Sequence, residues 1–395
     1  MRILGIESSC DETAASVVED GRRLLSNVIH TQIDIHAQYG GVVPEVAARS
    51  HLEYINPIIN KALSDADCTW EDIDAIAVTY APGLIGSLLV GTLAARTLAV
   101  LHNKPLYPIH HVEAHVYANF ITEQQSHPVN LLSSDLAQST PSGVTREHDK
   151  TIDSGGKHST QELQLPSSQP KFPILALIVS GGHSQLVLFR DHGDYTLLGQ
   201  TQDDAVGEAF DKVAKIIGLP YPGGPSIAAA AKHGDPTAYA LPKARLQGAY
   251  DFSFSGLKTA VLRAVQREVG VDINFPSREL AGLLNESQRY NFAASFQATA
   301  VRTLVSTTRK AYDDYLPASV VIAGGVAANQ ELRSQLQAVL PIEIQYAPME
   351  LCTDNAAMIA TLAYYKSQHV DPVSPYDLEV IPSISMTRTA WRNVV

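Results

Sequence analysis

Cysteine is scarce in this sequence: the three residues Cys10, Cys68 and Cys352 are spread over 395 positions. Cysteines so few and so far apart exclude a disulfide framework and a zinc knuckle, and they fit a reducing compartment. Charged residues are also few, at 18% against 45% hydrophobic residues. This balance is typical of a folded globular chain, and the length allows two domains with separate cores.

Positive charge is in short supply as well. The chain has 29 Lys and Arg against 41 Asp and Glu, which gives a net charge of −12. Because attraction to phosphate needs clustered cations, so acidic a chain is not expected to bind nucleic acid by its overall charge. If it acts on nucleic acid, a local basic patch or a partner must contribute.

Only one long hydrophobic run is present, at residues 83–101. It is almost long enough to span a bilayer, but it contains Arg96 and several small hydroxyl residues and lies between two predicted strands. We therefore expect a buried helix of an α/β core and no membrane association. Glu7 interrupts the first apolar residues, so no signal peptide is expected, and we predict a cytoplasmic protein.

The order of apolar runs and turns predicts a duplicated α/β architecture. An apolar run, a small polar turn and a second apolar run occur at residues 3–18 and recur at 174–189. Other periodic segments predict helices at 44–63, 208–217, 256–268 and 287–314, and strands at 73–79, 320–323 and 342–346. Two such halves place a ligand cleft between the domains.

Residues 121–171 have a different composition from the rest of the chain. They contain no Phe, Trp or Tyr and are dominated by Ser, Gln, Thr and Pro. Such a segment cannot bury enough apolar surface to offset the entropy lost on ordering. We expect a flexible insertion or linker in which His127, His148 and His158 are solvated.

His111 and His115 are four residues apart on a predicted helix, so their side chains lie on the same face. Neutral imidazoles in this arrangement can share a divalent metal, although such a pair is also typical of a surface or a partner contact. Asp354 can complete a site of two histidines and one carboxylate, which suits iron or zinc. It can equally be the N-cap of a closing helix that runs to about residue 365.

Three glycine turns are candidates for binding phosphate, because successive backbone N–H groups can hold an anion. These turns are residues 180–183, 222–225 and 324–325. None is a P-loop or a dinucleotide fingerprint, and glycine turns are also ordinary chain breaks. Asp211 is a candidate acceptor for ribose hydroxyls or a surface carboxylate. Asp11 and Glu12 are candidate catalytic acids or members of a polar turn.

Together these motifs resemble those of the TsaD-type tRNA threonylcarbamoyl transferases, a family once described as O-sialoglycoprotein endopeptidases. The resemblance covers residues 1–120 and 172–370. Its marks are Gly5–Thr13, His111–His115, Val179–His183, Gly207–Lys212, Tyr221–Pro225, Phe252–Gly256, Gly324–Asn329 and Cys352–Asn355. It implies an actin/Hsp70/sugar-kinase-like α/β fold, with two duplicated ribonuclease-H-like domains around a nucleotide cleft.

The domain limits that we expect from this resemblance follow the composition. The first domain comprises residues 1–121, completed by the C-terminal helix and tail at 354–395. The polar insertion occupies 122–172, and the second domain comprises 173–353.

The resemblance also implies a set of site residues. His111, His115 and Asp354 would be the ligands of one divalent metal, with Fe²⁺ favoured over Zn²⁺. The residues expected to bind the adenylate substrate are Val179, Ser180, Gly181, Gly182, His183, Asp211, Gly224 and Asn329. The family often has an aspartate where this chain has Ala228, so one ribose contact is in question.

The reaction implied is transfer of the threonylcarbamoyl group from threonylcarbamoyl-AMP to N6 of adenosine 37 in tRNAs that read codons beginning with A. AMP would be released, and Asp11 or Glu12 would take up the amine proton. The implied partners are tRNA, a smaller paralogous subunit and a small P-loop ATPase.

Three other functions are compatible with parts of the sequence. A zinc protease is one, but its His-Glu-x-x-His motif would need glutamate where Val112 stands. A sugar kinase or ATPase of the same fold would leave His111 and His115 without a role. A non-catalytic binding subunit would tolerate the loss of all three metal ligands.

Overall fold

The structure, a computed structural model, describes residues 1–125, 163–388 and 391. Most of the predicted flexible insertion, including His127, His148 and His158, lies outside the described residues. The described part of the chain forms two β-sheets with helices packed on them.

The first sheet is a meander extended by parallel strands. Its strands are β1 (Arg2–Glu7), β2 (Glu12–Glu19), β3 (Arg23–Thr31), β4 (Ala75–Ala81), β5 (Leu106–His110) and β6 (Glu123–Gln124). Their spatial order is β5-β4-β1-β2-β3-β6. Strands β1, β2 and β3 pair antiparallel, whereas β4 pairs parallel with β1 and β5 parallel with β4.

The second sheet repeats this topology. Its strands are β7 (Ile174–Val179), β8 (Ser184–Asp191), β9 (Asp194–Gln200), β10 (Ser319–Ala323) and β11 (Ile344–Tyr346), in the spatial order β11-β10-β7-β8-β9. Again three antiparallel strands are followed by two parallel ones. The repeated strand order confirms the predicted duplicated α/β fold of the actin/Hsp70/sugar-kinase class.

Helices surround both sheets. They are α1 (Ile33–Ala37), α2 (Pro44–Asp65), α3 (Ile85–Leu101), α4 (His111–Tyr117), α5 (Val206–Ile217), α6 (Gly223–Ala231), α7 (Ser255–Glu268), α8 (Ser277–Leu280), α9 (Glu286–Tyr315), α10 (Gln330–Val339), α11 (Met349–Cys352) and α12 (Ala356–Ser367). Alternate residues of β1 point to opposite faces. Ile3 packs in the core that contains α12, whereas Leu4 and Ile6 pack in the core that contains α2 and α3.

Helix α3 corresponds to the long apolar run, but it is buried on one side only. Leu88 and Ala95 are fully buried, whereas the side chains of Ile85, Leu89 and Leu93 are 58%, 42% and 54% exposed. The prediction of a buried helix was therefore wrong for its outer face. Within the described ranges, no helix combines the length and apolar character needed to cross a membrane.

The segment after α12, which we call the C-terminal strap (residues 374–388 and 391), returns to the first sheet and to α4. The backbone N–H of Ile381 donates to the carbonyl of Tyr80 at 3.0 Å. The Nε2 of His110, the residue before α4, lies 3.2 Å from the carbonyl oxygen of Ile384. The strap thus reaches the helix that carries the predicted metal ligands.

Candidate active site

The metal-ligand pair lies on a short, fully enclosed helix. Strand β5 ends at His110, α4 begins at His111, and all seven residues of α4 are buried. The ring centroids of His111 and His115 are 4.7 Å apart, with an angle of 75° between the rings. The i,i+4 spacing therefore places both imidazoles on one face, as predicted.

Asp354 completes the group. Its Oδ1 lies 3.4 Å from Nε2 of His111 and 3.3 Å from Nε2 of His115. The alternative role as a helix cap belongs to the next residue, because the side chain of Asn355 accepts a 3.0 Å hydrogen bond from the backbone N–H of Met358. The Asp354 carboxylate is thereby free to face the histidines, and we call His111, His115 and Asp354 the metal triad.

The donor atoms of the triad fit a metal ion. Each residue offers one ligand atom, and these atoms lie within 4.8 Å of one another. Both ring nitrogens of His115 are buried and make no hydrogen bond among the described residues. Unsatisfied buried nitrogens are costly, and a cation bound to Nε2 would satisfy that one of the two. The two-histidine, one-carboxylate set is chemically suited to a divalent transition metal.

Glu7 supports the triad, a role that the sequence reasoning missed. It is fully buried at the end of β1, and its Oε2 lies 3.2 Å from Nδ1 of His111. The hydroxyl of Thr79 donates to the same oxygen, and the backbone N–H of Ser9 donates to Oε1. Since an ionised carboxylate only accepts, Nδ1 of His111 carries a proton, and Nε2 can bind a metal once it has lost its own proton.

Charges within this cluster shift the pKa values of its members. Burial alone would lower the pKa of His111, but the carboxylates of Asp354 and Glu7 outweigh it and raise that pKa well above its usual value. Burial likewise opposes ionisation of Asp354, yet the charge and hydrogen bond of His111 hold its pKa well below the usual range. In the metal-free protein, a protonated His111 therefore balances two buried carboxylates.

Glu113 lies between the two histidines in sequence but has other partners. The indole N–H of Trp391 donates to its Oε1 at 2.9 Å, and the hydroxyl oxygen of Tyr195 lies 3.3 Å from its Oε2. Burial raises the pKa of Glu113 to about 7. Both oxygens are thus engaged with the strap and with β9, which does not suit the general base of a zinc protease.

Asp11 lies in the turn between β1 and β2, and Glu12 is the first residue of β2. The ring of His51 supports this turn, with Nε2 3.0 Å from the carbonyl oxygen of Cys10 and Nδ1 2.7 Å from the hydroxyl of Thr13. Burial, followed by the charges of Asp11 and Asp354, raises the pKa of Glu12 well above its usual value. The turn is therefore close enough to the metal triad to interact with it electrostatically.

The same turn also faces the second half of the molecule. Burial, followed by the charges of Asp11 and Asp211, raises the pKa of Tyr221. Asp211 is on α5, and its Oδ1 accepts a 2.7 Å hydrogen bond from the backbone N–H of Gly223, the first residue of α6. The charges of the candidate acids of both halves therefore act on the same residue, Tyr221.

The glycine turn after β7 is closed by its own hydrogen bonds. The backbone N–H of Ser180 donates to the carbonyl of His183 at 2.8 Å, and the N–H of His183 donates to the hydroxyl of Ser180 at 3.2 Å. A Cβ atom built at Gly181, Gly182 or Gly224 would meet no atom within 4 Å. These three glycines therefore border open space that a ligand can enter.

The turn after β10 packs directly on the turn after β7. Gly324 has a φ of +88°, and a Cβ atom there would lie 2.5 Å from the carbonyl oxygen of Val179. Beyond it, Asn329 caps α10 by accepting from the N–H of Leu332 at 3.0 Å, and its amide donates to Oε1 of Gln297 at 3.0 Å. Two of the predicted phosphate-binding turns are thus side by side.

His183 connects these turns to the metal triad. Burial, followed by the charges of His111 and His115, lowers the pKa of His183 to about 3, so its imidazole is neutral. The charges of the triad histidines therefore act on the turn after β7. The structure thereby brings together the triad, the β1–β2 turn and the glycine turns, which are far apart in sequence.

The sequence matches the TsaD family, described as tRNA N6-adenosine threonylcarbamoyltransferase, over residues 23–145 and 156–361. The chain belongs to the TsaD family. A TsaD relative from Thermomicrobium roseum, named tRNA N6-adenosine threonylcarbamoyltransferase, is 47% identical over 400 residues and aligns over 99% of each chain. A relative of the same name from Symbiobacterium thermophilum is 47% identical and aligns over 92% of this chain and 91% of its own.

The fold of this TsaD protein also occurs in a larger protein. A solved structure of HypF from T. kodakarensis superposes with a TM-score of 0.54 at 12% identity, covering 93% of this chain and 48% of that one. This likeness concerns the fold alone. The TsaD assignment confirms the resemblance predicted from the motifs, and nothing found favours the protease or kinase alternatives.

Proposed function

We propose that this TsaD-family enzyme transfers the threonylcarbamoyl group of threonylcarbamoyl-AMP to N6 of adenosine 37 in tRNAs that read codons beginning with A. The observation that supports the proposal is the metal triad, whose histidines influence the pKa of His183 in the open glycine turn at residues 180–183. The relatives, which are 47% identical, are named for this modification. The proposed site lies between the two halves of the duplicated fold.

The chemistry is an acyl-type transfer from a mixed carbamic–phosphoric anhydride. The N6 nitrogen forms a bond to the carbamoyl carbon, the bond from that carbon to the phosphate oxygen breaks, and AMP leaves with the electron pair. The proton lost from N6 passes to Asp11 or Glu12. Since burial raises the pKa of Glu12, its carboxylate is a stronger base than an ordinary glutamate.

The adenylate would be held by backbone groups of the second half. The open faces of Gly181, Gly182 and Gly224 give a phosphate access to main-chain N–H groups, and Gly224 is in the first turn of α6. Asp211 uses Oδ1 for the N–H of Gly223, which leaves Oδ2 to accept from a ribose hydroxyl. Ala228, one turn after Gly224, offers no second acceptor.

His111, His115 and Asp354 would hold the metal, which resemblance to the family suggests is Fe²⁺ or else Zn²⁺. When bound there, a divalent cation would polarise the carbamoyl carbonyl or orient the substrate carboxylate as a Lewis acid. Neutral His183 beside the triad can donate or accept a hydrogen bond to the same part of the substrate. Action on tRNA is consistent with the cytoplasmic location predicted above.

The exposed face of α3 supports a protein partner. Ile85, Leu89 and Leu93 form an apolar stripe at i,i+4 spacing, and such a patch is unusual on a surface that remains free. The proposed occupant is the smaller paralogous subunit, with the small P-loop ATPase as a further partner in the reaction. Size-exclusion chromatography with the purified subunit should show a complex that Leu89→Lys weakens and Ser334→Lys, at an exposed position on α10, does not.

The direct test is a reconstitution. The full chain, its proposed partners, threonylcarbamoyl-AMP and unmodified tRNA should yield N6-threonylcarbamoyladenosine and an equal amount of AMP, measured by mass spectrometry of digested tRNA. The His115→Ala and Asp354→Ala variants should yield neither. If the Thermomicrobium roseum relative modifies the same tRNA and this chain does not, the proposed function is wrong.

A further inference from the structure

One segment of this acidic protein has the opposite charge. Residues 212–310 contain 13 Lys and Arg against 6 Asp and Glu, whereas the whole chain contains 29 and 41. The segment begins within α5 and ends within α9, so it belongs to the second half of the fold. Such a reversal within one chain is typical of a surface for a polyanion.

The cations of this segment converge on the outer face of α9. Arg302, Ser306 and Lys310 are exposed and four residues apart, so they share one face. Lys243, from the connection between α6 and α7, reaches this face, and its Nζ donates to the hydroxyl of Ser306 at 2.5 Å. The ammonium of Lys310 lies 5.4 Å from the ring centroid of Tyr250. We call these five residues the α9 stripe.

The stripe cations have no carboxylate partners. Among residues 1–125, 163–388 and 391, no Asp or Glu forms an ion pair with Lys243, Arg302 or Lys310, although Arg309 on the same helix pairs with Asp313 at 2.8 Å. Burial and the nearby charge of Arg302 lower the pKa of Lys243, so the two cations are close together. Asp314, one turn after Lys310, accepts a 2.6 Å hydrogen bond from the hydroxyl of Tyr250 and forms no ion pair with the three cations. Cations held together without an ion-pair partner repel, and a bound phosphate would reduce that cost.

Helix α9 also reaches the proposed nucleotide site. Gln297 on α9 accepts the hydrogen bond from Asn329 described above. At 1.5 Å per residue, Arg302 follows about 7 Å and Lys310 about 20 Å further along the helix axis. Because 3.6 residues make one turn, the exposed stripe residues lie on the face of α9 opposite the buried Gln297, outside the cleft. A tRNA that inserts one adenosine into the cleft extends well beyond it, far enough for its backbone to reach this outer face.

We propose that the α9 stripe binds the phosphate backbone of the tRNA outside the cleft. This inference rests on the proposed function, since it takes tRNA as the substrate. Lys243, Arg302 and Lys310 contact phosphates without reading sequence, and the Tyr250 ring holds Lys310 in place. The stripe explains how a chain with a net charge of −12 attracts a polyanion.

The test compares the full-length chain with the triple variant Lys243→Ala/Arg302→Ala/Lys310→Ala in binding unmodified tRNA. Neutralising three phosphate contacts should weaken binding at least tenfold at low salt. It should also reduce the slope of log affinity against log salt by about 2 to 3. The affinity for threonylcarbamoyl-AMP and the metal content should not change. Lys171→Ala, which removes an exposed cation elsewhere, is the matched control.

The charge-conserving variant Lys243→Arg/Arg302→Lys should retain wild-type binding, which separates charge from local folding. An unchanged salt slope in the triple variant, or no tRNA binding by the wild-type chain, would overturn the inference. Failure of the proposed function has a different signature: tRNA would bind through the stripe, but no threonylcarbamoyladenosine would form.

Discussion

The indole N–H of Trp391 donates a 2.9 Å hydrogen bond to Oε1 of Glu113, the carboxylate between the two triad histidines in sequence. The hydroxyl oxygen of Tyr195 on β9 lies 3.3 Å from the other carboxylate oxygen. Helix α4, which carries the two triad histidines, is therefore connected through the side chain of Glu113 to the C-terminal strap and to the second sheet. A change at either partner should be transmitted to the orientation of α4.

The titration of Glu113 should be visible in the stability of the protein. Burial raises the pKa of Glu113 from 4.5 to about 7, so the folded protein holds a proton that the unfolded chain has lost in this window. The free energy of unfolding should therefore fall as pH rises from 4.5 to 7, by up to roughly 3 kcal/mol.

In the Glu113→Gln variant the free energy of unfolding should not fall between pH 4.5 and 7. The Trp391→Phe variant should show the same fall as the wild type but be less stable at every pH. Thermal unfolding of the three proteins at pH 5 and pH 8 measures the difference. Parallel pH profiles for wild type and Glu113→Gln would contradict the assignment.

Asp354 and Asn355 are adjacent but should affect different properties. Asp354→Ala removes a triad ligand and should abolish bound metal. Asn355→Ala removes the cap of α12 and should cost about 1 kcal/mol of stability while bound metal persists. Elemental analysis and thermal unfolding of both variants test this division. Metal retained by Asp354→Ala would exclude that residue as a ligand.

Glu7 should control metal affinity without touching the metal. The Glu7→Gln variant keeps the size and an acceptor for His111, but it loses the charge that fixes the imidazole. Metal affinity, measured by competition with a chelator, should fall about 10- to 100-fold. The ¹⁵N shifts of His111 should also show a loss of the Nδ1–H tautomer. Glu19→Gln, at a carboxylate paired with Arg2 on the surface, is the control and should leave both unchanged.

Metal binding should strengthen as pH rises. Asp354 and Glu7 raise the pKa of His111 in the metal-free protein, so this proton must leave before Nε2 can bind a cation. The ion pair itself stabilises the metal-free fold below pH 6.5, and that contribution is lost as pH rises through the raised pKa. Melting temperatures with and without metal should therefore diverge with increasing pH, and His111→Ala should abolish the divergence.

Most of the fold could be predicted because local patterns specify it. The hairpins at 3–18 and 174–189 were correctly predicted from apolar runs around polar turns. Strand β9 was missed, because Asp194, Tyr195 and Thr196 at the edge of the sheet show no clean alternation. The outer face of α3 was misjudged because an apolar sequence does not reveal whether a partner or the core covers it.

The site was less accessible to sequence reasoning. The i,i+4 spacing was enough to pair His111 with His115, since that contact is local. Glu7 is 104 positions from His111 and approaches it only because β1 and β5 both pair with β4. The sequence did contain one signal for the role of Glu7. It is a carboxylate in an apolar strand that is expected to be buried, and a buried carboxylate requires a partner. The cations of the α9 stripe meet only once the α6–α7 connection crosses that helix.

Two described segments of the polar insertion, on either side of residues 126–162, meet at the margin of the first sheet. Residues 122–124 and 163–165 line one surface groove together with Arg23, and β6 pairs there with β3. A loop with neighbouring ends can change in length without moving the domain that carries it. This position is therefore suited to engineering. A fluorescent reporter or an affinity tag could replace residues 126–162 without displacing the metal triad or either sheet.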